Sequence, residues 1–159
     1  VDEFVSVAGP LFEHSPWIAQ AAASFRPFQT VDEMHRALLG VVDASPREMK
    51  LALIHAHPDL AGKLAVSGNL TEQSTAEQRS ARLDRLSPDQ FARMSAFNAD
   101  YKRRFGFPFI ICVRDHTQDQ IFEAFERRLT LSADEEMETA LVQIGRIAWH
   151  RLNDLLPAE

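Results

Sequence analysis

The chain offers few side chains able to do acid–base chemistry in a pattern, and His57 is the first of them. It sits in Leu53-Ile54-His55-Ala56-His57-Pro58-Asp59-Leu60, where Pro58 disfavours helical geometry at His57 and so ends a preceding helix about there. An imidazole at a helix C-terminus meets the negative end of the dipole, which favours the protonated ring, raises its pKa and suits a general acid near neutral pH. The structural alternative is a capping histidine that bonds the last free carbonyls. His55, His57 and nearby Asp59 also carry zinc-type donor atoms. Residues two apart on a helix point away from each other, so this pair shares an ion only if the backbone is extended. The expectation is no metal site. His14, His35, His116 and His150 fall in no ligand spacing and are expected at the surface or at helix ends.

Ser74, Glu77 and Gln78 stand at i, i+3 and i+4, so on a helix they present a hydroxyl, a carboxylate and an amide from one face. That is a recognition edge for an imide or urea, and Ser74 with Glu77 is equally a complete capping box. Arg151 interrupts an apolar seam running Met137, Leu141, Ile144, Ala148, then Leu155. A guanidinium there needs an internal carboxylate, a bound anion, or a route for its head to reach water, because burial without a partner is costly.

The elements that must position these groups read as helices. Cap-like pairs occur at Thr30/Glu33, Ser45/Glu48, Ser74/Glu77, Ser87/Gln90, Thr117/Gln120 and Ser132/Glu135, with Pro46 and Pro88 at first-turn positions. An earlier helix is expected over 15–25. Apolar residues at helical spacing follow most starts, as in Val31, Met34, Leu38 and Val41–Val42, or Ile121, Phe122, Phe125 and Leu129. The fold class is all-α, a single compact multi-helix domain over 1–159, with one exception at about 107–113. There Gly106 stops a helix, Pro108 forces Phe107 extended, and Phe109-Ile110-Ile111-Cys112-Val113 is apolar and partly β-branched. An extended segment among helices leaves backbone groups in need of partners, which core side chains or an amide-rich planar ligand can supply. Arg79, Arg82, Asp84 and Arg85 read as a solvated helix face.

Size and composition bound the rest. At 159 residues there is room for one domain, and 45% hydrophobic with 25% charged residues is ordinary for a globular protein with a core. Seventeen Lys and Arg against 23 Asp and Glu leave a net charge of −6, so no nucleic acid partner is expected. The single cysteine, Cys112, excludes an internal disulfide and thiolate-cluster metal sites. No run of about 18 apolar residues marks a membrane span. The start Val1-Asp2-Glu3-Phe4 is not a secretory signal, and Leu156-Pro157-Ala158-Glu159 is not a peroxisomal tripeptide. A cytoplasmic, membrane-free protein is the expectation.

Two long motifs carry a resemblance. Leu53 through Lys63, then Ser74-Thr75-Ala76-Glu77-Gln78, Leu86-Ser87-Pro88, Asn98, Tyr101 and Arg104 through Val113, continuing to Phe125-Glu126-Arg127-Arg128-Leu129 and Arg151-Leu152, resemble 2-oxo-4-hydroxy-4-carboxy-5-ureidoimidazoline (OHCU) decarboxylases over nearly the whole chain. The resemblance implies decarboxylation of OHCU to (S)-allantoin and CO2, the last step from urate to allantoin, by an all-helical homodimer without metal or organic cofactor. It places the catalytic histidine on His57, with Glu77 and Arg151 the expected catalytic partners. It places substrate binding on Pro58, Ser74, Thr75, Ala76, Glu77 and Gln78, on Phe109, Ile110, Ile111, Cys112 and Val113, and on Arg151. His55 stands where the family often has Arg, which makes it a candidate supporting group.

The substrate itself suggests the chemistry. OHCU carries a carboxylate and a hydroxyl on one ring carbon beside a ring C=N that can accept the electron pair, so no pyridoxal or lysine imine is needed, and Lys50, Lys63 and Lys102 need not be catalytic. Arg151 would then pair with a substrate oxygen, Glu77 and Gln78 hold ureido and ring nitrogens, and His57 transfer the proton. The alternatives are a non-catalytic ureide-binding helical module and a metal-dependent amidohydrolase-like enzyme using His55, His57 and Asp59.

Overall fold

The structure is a computed structural model, and it describes residues 2–61 and 70–156, without the side chains of Asp2 and Ser80. Gly62 and Lys63 of the first motif lie outside these residues. The described chain has eight α-helices and no strand: α1 (Asp2–Ala8), α2 (Trp17–Ala22), α3 (Val31–Ala44), α4 (Arg47–His55), α5 (Glu72–Ser80), α6 (Pro88–Phe105), α7 (Gln118–Arg128) and α8 (Ala133–Leu155). Short 3-10 turns occupy Gly9–Leu11, Ala23–Phe25, Leu83–Arg85 and Val113–Asp115.

Four of the six expected caps form. Thr30 and Ser132 accept the N–H three residues on, and Ser87/Gln90 and Thr117/Gln120 close complete capping boxes, with Pro88 in the first turn. Two do not. Ser45 ends α3 and turns its hydroxyl back to the Val41 carbonyl, leaving Pro46 to precede α4. The helix expected from Ser74 starts three residues earlier, where Thr71 accepts from the Ser74 N–H. Ser74 therefore sits inside the first turn with its hydroxyl free for tertiary contact. The charged run is solvated as expected, but it is no single helix face: Arg82 adopts a left-handed φ of 59° that breaks α5 from the Leu83–Arg85 turn.

The long α8 packs against α3, α4 and the Gly9–Leu11 turn. Its seam buries Met137, Ile144, Ala148 and Arg151, while Leu155 is exposed. Gly145 faces α3 closely: a Cβ there would lie 3.1 Å from Leu39 Cδ2, which would have to shift by a few tenths of an ångström. The seams of α3 and α7 place Leu38, Val42, Ile121, Phe122 and Phe125 in the same core.

Gly106 ends α6 at φ 80°, a left-handed cap, and the chain then crosses the core extended. Protein groups meet part of its backbone: Arg128 Nη1 donates to the Ile110 carbonyl at 2.7 Å, the Cys112 N–H donates to Gln143 Oε1 at 2.9 Å, and His116 Nδ1 donates to the Cys112 carbonyl at 2.8 Å. The N–H groups of Ile111 and Val113 have no protein partner among the described residues. Arg128 is itself buried, paired with buried Glu136 at 2.8 Å and stacked 4.3 Å over the Phe109 ring. Tyr101 donates to the same Glu136 oxygen.

Removing one member of a buried ion pair strands the other charge, a cost of about 3–5 kcal/mol. Arg128→Met should lower the free energy of urea unfolding by about that much, and Arg128→Met with Glu136→Gln by less.

Candidate functional site

The loop after α4 carries His57 and is tied down from two helices. Gln78 Oε1 on α5 accepts the Ala61 N–H at 2.9 Å, and Asn98 Nδ2 and Lys102 on α6 hold the Leu60 carbonyl (2.9 Å) and the Asp59 carboxylate (2.6 Å). Both readings of His57 from sequence describe it in part. Its Nδ1 donates to the Leu53 carbonyl at 2.9 Å, capping α4, and its ring lines a cavity. The carbonyl fixes the tautomer: Nδ1 carries the proton, so the neutral ring keeps a lone pair on Nε2. The expected upward shift in pKa is not found. Burial strips water from the imidazolium and lowers the pKa to about 4, outweighing the Leu53 hydrogen bond and the Glu13 carboxylate, both of which favour the proton. His57 rests as a base.

Arg151 is buried and its partners are internal. It clasps Glu77 through Nε (2.8 Å) and Nη2 (2.7 Å), donates from Nη2 to Glu13 at 2.7 Å, and gives Nη1 to the Pro10 carbonyl at 3.1 Å. Four of five N–H groups are thereby used, and one Nη1 N–H remains. Glu13 is the functional candidate that sequence reasoning missed. It follows the Gly9–Leu11 turn with no motif around it, and only its burial and partners mark it: Ser74 Oγ donates to it at 2.7 Å and Thr71 Oγ1 at 3.0 Å. Burial pushes its carboxyl up, but the Arg151 charge and the Ser74 and Arg151 hydrogen bonds outweigh burial and hold it below the usual range. Desolvation works against the Arg151 cation, yet Glu77 and Glu13 raise its pKa further.

His57 and Arg151 meet at one cavity. His57, Pro58, Ser74, Glu77, Gln78, Arg151 and the whole run Phe109, Ile110, Ile111, Cys112 and Val113 line it, joined by Leu60, Arg114 and Ile147, which the sequence did not suggest. Thr75 and Ala76 do not. Thr75 lines a separate cleft with Ala61 and Leu83, and Ala76 lines the cleft next door, because successive residues of α5 turn by about 100°. The Gln78 carbonyl oxygen is taken by Ala61, so its free amide presents N–H donors to the cavity. Such donors suit ligand oxygens and the lone pair of a ring C=N nitrogen. Cys112 is no nucleophile: burial first, then the nearby Asp115, push its thiol up to about 12.

The sequence-level metal candidates are apart. His55 is exposed while His57 is buried, and Asp59 is paired with Lys102. Among the described residues, ligand atoms of Cys112, Asp115 and His150 come within 4.8 Å of one another. Arg146 already holds both oxygens of Asp115 (2.9 and 3.3 Å) and His150 donates to it at 2.7 Å, so this is an ion-pair cluster with a guanidinium where a cation would sit.

Over the described residues, fold and site define an all-helical protein with a cavity lined by an imidazole base, a carboxylate–guanidinium pair, an amide and an extended backbone segment, suited to a small polar ligand. The OHCU decarboxylase family profile matches residues 1–153. A 2-oxo-4-hydroxy-4-carboxy-5-ureidoimidazoline decarboxylase of Haloferax volcanii is 42% identical over 99% of this chain and 92% of its own. A crystal structure of (S)-allantoin synthase superposes with a TM-score of 0.77 at 28% identity, covering 97% of this chain and 50% of that one. An OHCU decarboxylase crystallised in the presence of (S)-allantoin shares the fold, with a TM-score of 0.75 at 22% identity over 99% of both chains. The chain belongs to the OHCU decarboxylase family.

A histidine that protonates at 6.5 when unfolded and at about 4 when folded makes stability fall with pH between those values, and the loss stops below the lower one. From pH 7 to 5 the wild type should lose about 2 kcal/mol more than His57→Asn, measured by urea unfolding, since Asn cannot titrate.

Proposed function

We propose that this protein decarboxylates OHCU to (S)-allantoin and CO2, acting as a carboxy-lyase through His57, Glu77 and Arg151. The observation that carries the reading is the neutral His57, with its Nε2 lone pair in the same cavity as the Glu77–Arg151 pair, in a chain of this family. The relatives' names supply the substrate and product.

The proton inventory gives His57 both halves of its task. OHCU loses CO2 when the bond from its carboxylate to the hydroxyl-bearing ring carbon breaks. The electron pair moves into the adjacent ring C=N, whose nitrogen takes a proton from water. The product is an enol, which becomes the carbonyl of allantoin once the hydroxyl proton leaves and the ureido-bearing carbon gains one. His57 Nε2 takes the hydroxyl proton and returns it to that carbon, and delivery from one face sets the (S) configuration. A ring poised as a base performs the first transfer, and the imidazolium so formed, disfavoured by burial, performs the second. The substrate's own C=N is the electron sink, so no organic cofactor or metal enters the scheme.

Binding follows from the donor or acceptor character of the groups that line the cavity. Glu77 accepts ureido N–H groups, the Gln78 amide and the remaining Arg151 N–H donate to ring and ureido oxygens, and the Ile111 and Val113 N–H groups complete the grip. Pro58, Ser74, Phe109, Ile110 and Cys112 shape the walls. Glu13 holds Arg151 and Ser74 in place without lining the cavity itself. The chain acts as one domain and as a cytoplasmic homodimer, with exposed Phe25 beside Gly40 and Val41 on the α2–α3 face available to a second copy. No described helix is long and apolar enough to cross a membrane.

The test generates OHCU in place from urate with urate oxidase and hydroxyisourate hydrolase and follows allantoin by circular dichroism. The wild type should give a fast (S) signal, where spontaneous decay gives racemate. His57→Asn should lose at least about a thousandfold in kcat with KM little changed, whereas Arg151→Met should damage both. Allantoin binding without any acceleration of OHCU decay would replace this reading with the binding-module alternative.

A further inference from the structure

The substrate proposed above is an anion, and the Arg151 guanidinium that lines its cavity is already largely committed. Four of its five N–H groups go to Glu77, Glu13 and the Pro10 carbonyl, and burial keeps His57 neutral. The chain as a whole carries −6. A carboxylate arriving from solution is better met by a cation nearer the surface.

Among the described residues, Arg114 is the other cation lining the cavity. It stands in the Val113–Asp115 turn, directly after the extended segment. It lines both the catalytic cavity and the wider adjoining cleft formed with Pro10, Glu72, Ala76 and Asp154, so it sits at the junction between the two. Its side chain is 32% exposed, unlike buried Arg151 and Arg128. Its fork rests on Asp154 of α8, with Nη1 at 2.6 Å and Nη2 at 3.3 Å. Asp154 is 60% exposed, and an ion pair so close to water holds weakly and exchanges readily.

We infer that Arg114 is the residue that captures the substrate carboxylate at the cavity mouth, exchanging Asp154 for it. The inference rests on the OHCU reading and deepens it. The exchange trades one carboxylate for another on the same planar fork, so two charge-assisted hydrogen bonds are kept and Asp154 returns to water at little cost. A guanidinium at the mouth also attracts an anion from outside the cavity, which acts on the encounter rate and on KM rather than on the chemical step. Asp154 is the competitor: while paired, it shields Arg114 from the incoming anion.

Steady-state kinetics with the coupled generation of OHCU tests this through variants of opposite sign. Arg114→Gln should raise KM about tenfold while kcat falls by less than about threefold, and Arg114→Lys should recover part of the loss. Asp154→Asn should lower KM. The kcat/KM of the wild type should drop as NaCl is raised, and that of Arg114→Gln should drop less. An ion pair with only a structural role moves Arg114→Gln and Asp154→Asn in the same direction, so a raised KM in Asp154→Asn overturns the inference, as does an unchanged KM in Arg114→Gln. A wild type that leaves OHCU decay unaccelerated overturns the decarboxylase reading itself and this inference with it, whereas an active wild type with no KM response to either variant removes Arg114 alone.

Discussion

A buried guanidinium must be paired, and this requirement at Arg151 organises the rest of the site. Its partners come from distant parts of the chain: Glu13 and the Pro10 carbonyl near the N-terminus, and Glu77 on α5. Satisfying one side chain therefore brings the N-terminal turn, the recognition helix and the end of α8 to one point. Ser74 adds a bond from α5 to Glu13, so the carboxylate that neutralises Arg151 also fixes the helix carrying Glu77 and Gln78. The cavity is the space beside this knot.

The same economy of partners explains the neutral histidine. A helix end and a nearby carboxylate both favour imidazolium, yet the ring is enclosed by Pro58, Leu60 and the aliphatic run from Ile110 to Val113, and loss of water outweighs them. Glu13, the carboxylate that would stabilise the proton, is already turned toward Arg151. A ring that resists protonation at rest gives up a proton readily once it has taken one, which suits a shuttle between two atoms of one ligand.

A second buried pair, Arg128 with Glu136, does for the extended segment what Arg151 does for α5. It holds the Ile110 carbonyl from the core side and stacks on Phe109, which fixes the backbone that carries the Ile111 and Val113 N–H groups. Rigid backbone donors lose little entropy when a ligand arrives.

Much of this was legible in the residues alone. Helix periodicity and four caps are local, governed by neighbours three or four positions away, and they appear where the spacing put them. Gly106 and Pro108 likewise stopped a helix and started the extended segment through their own backbone limits. The oddity of Arg151 in an apolar seam and the long motifs around His57 and Phe109 marked most of the cavity wall. The false starts at Ser45 and Ser74 have different causes: Ser45 bonds back to the Val41 carbonyl at the end of α3, whereas Thr71 caps α5 one turn earlier and frees Ser74 to reach Glu13. Glu13, Arg114 and the pKa direction of His57 had no local signature. Each depends on which distant charges and apolar walls meet in space and on how much water they exclude, and electrostatics in a protein follows distance and burial rather than order along the chain.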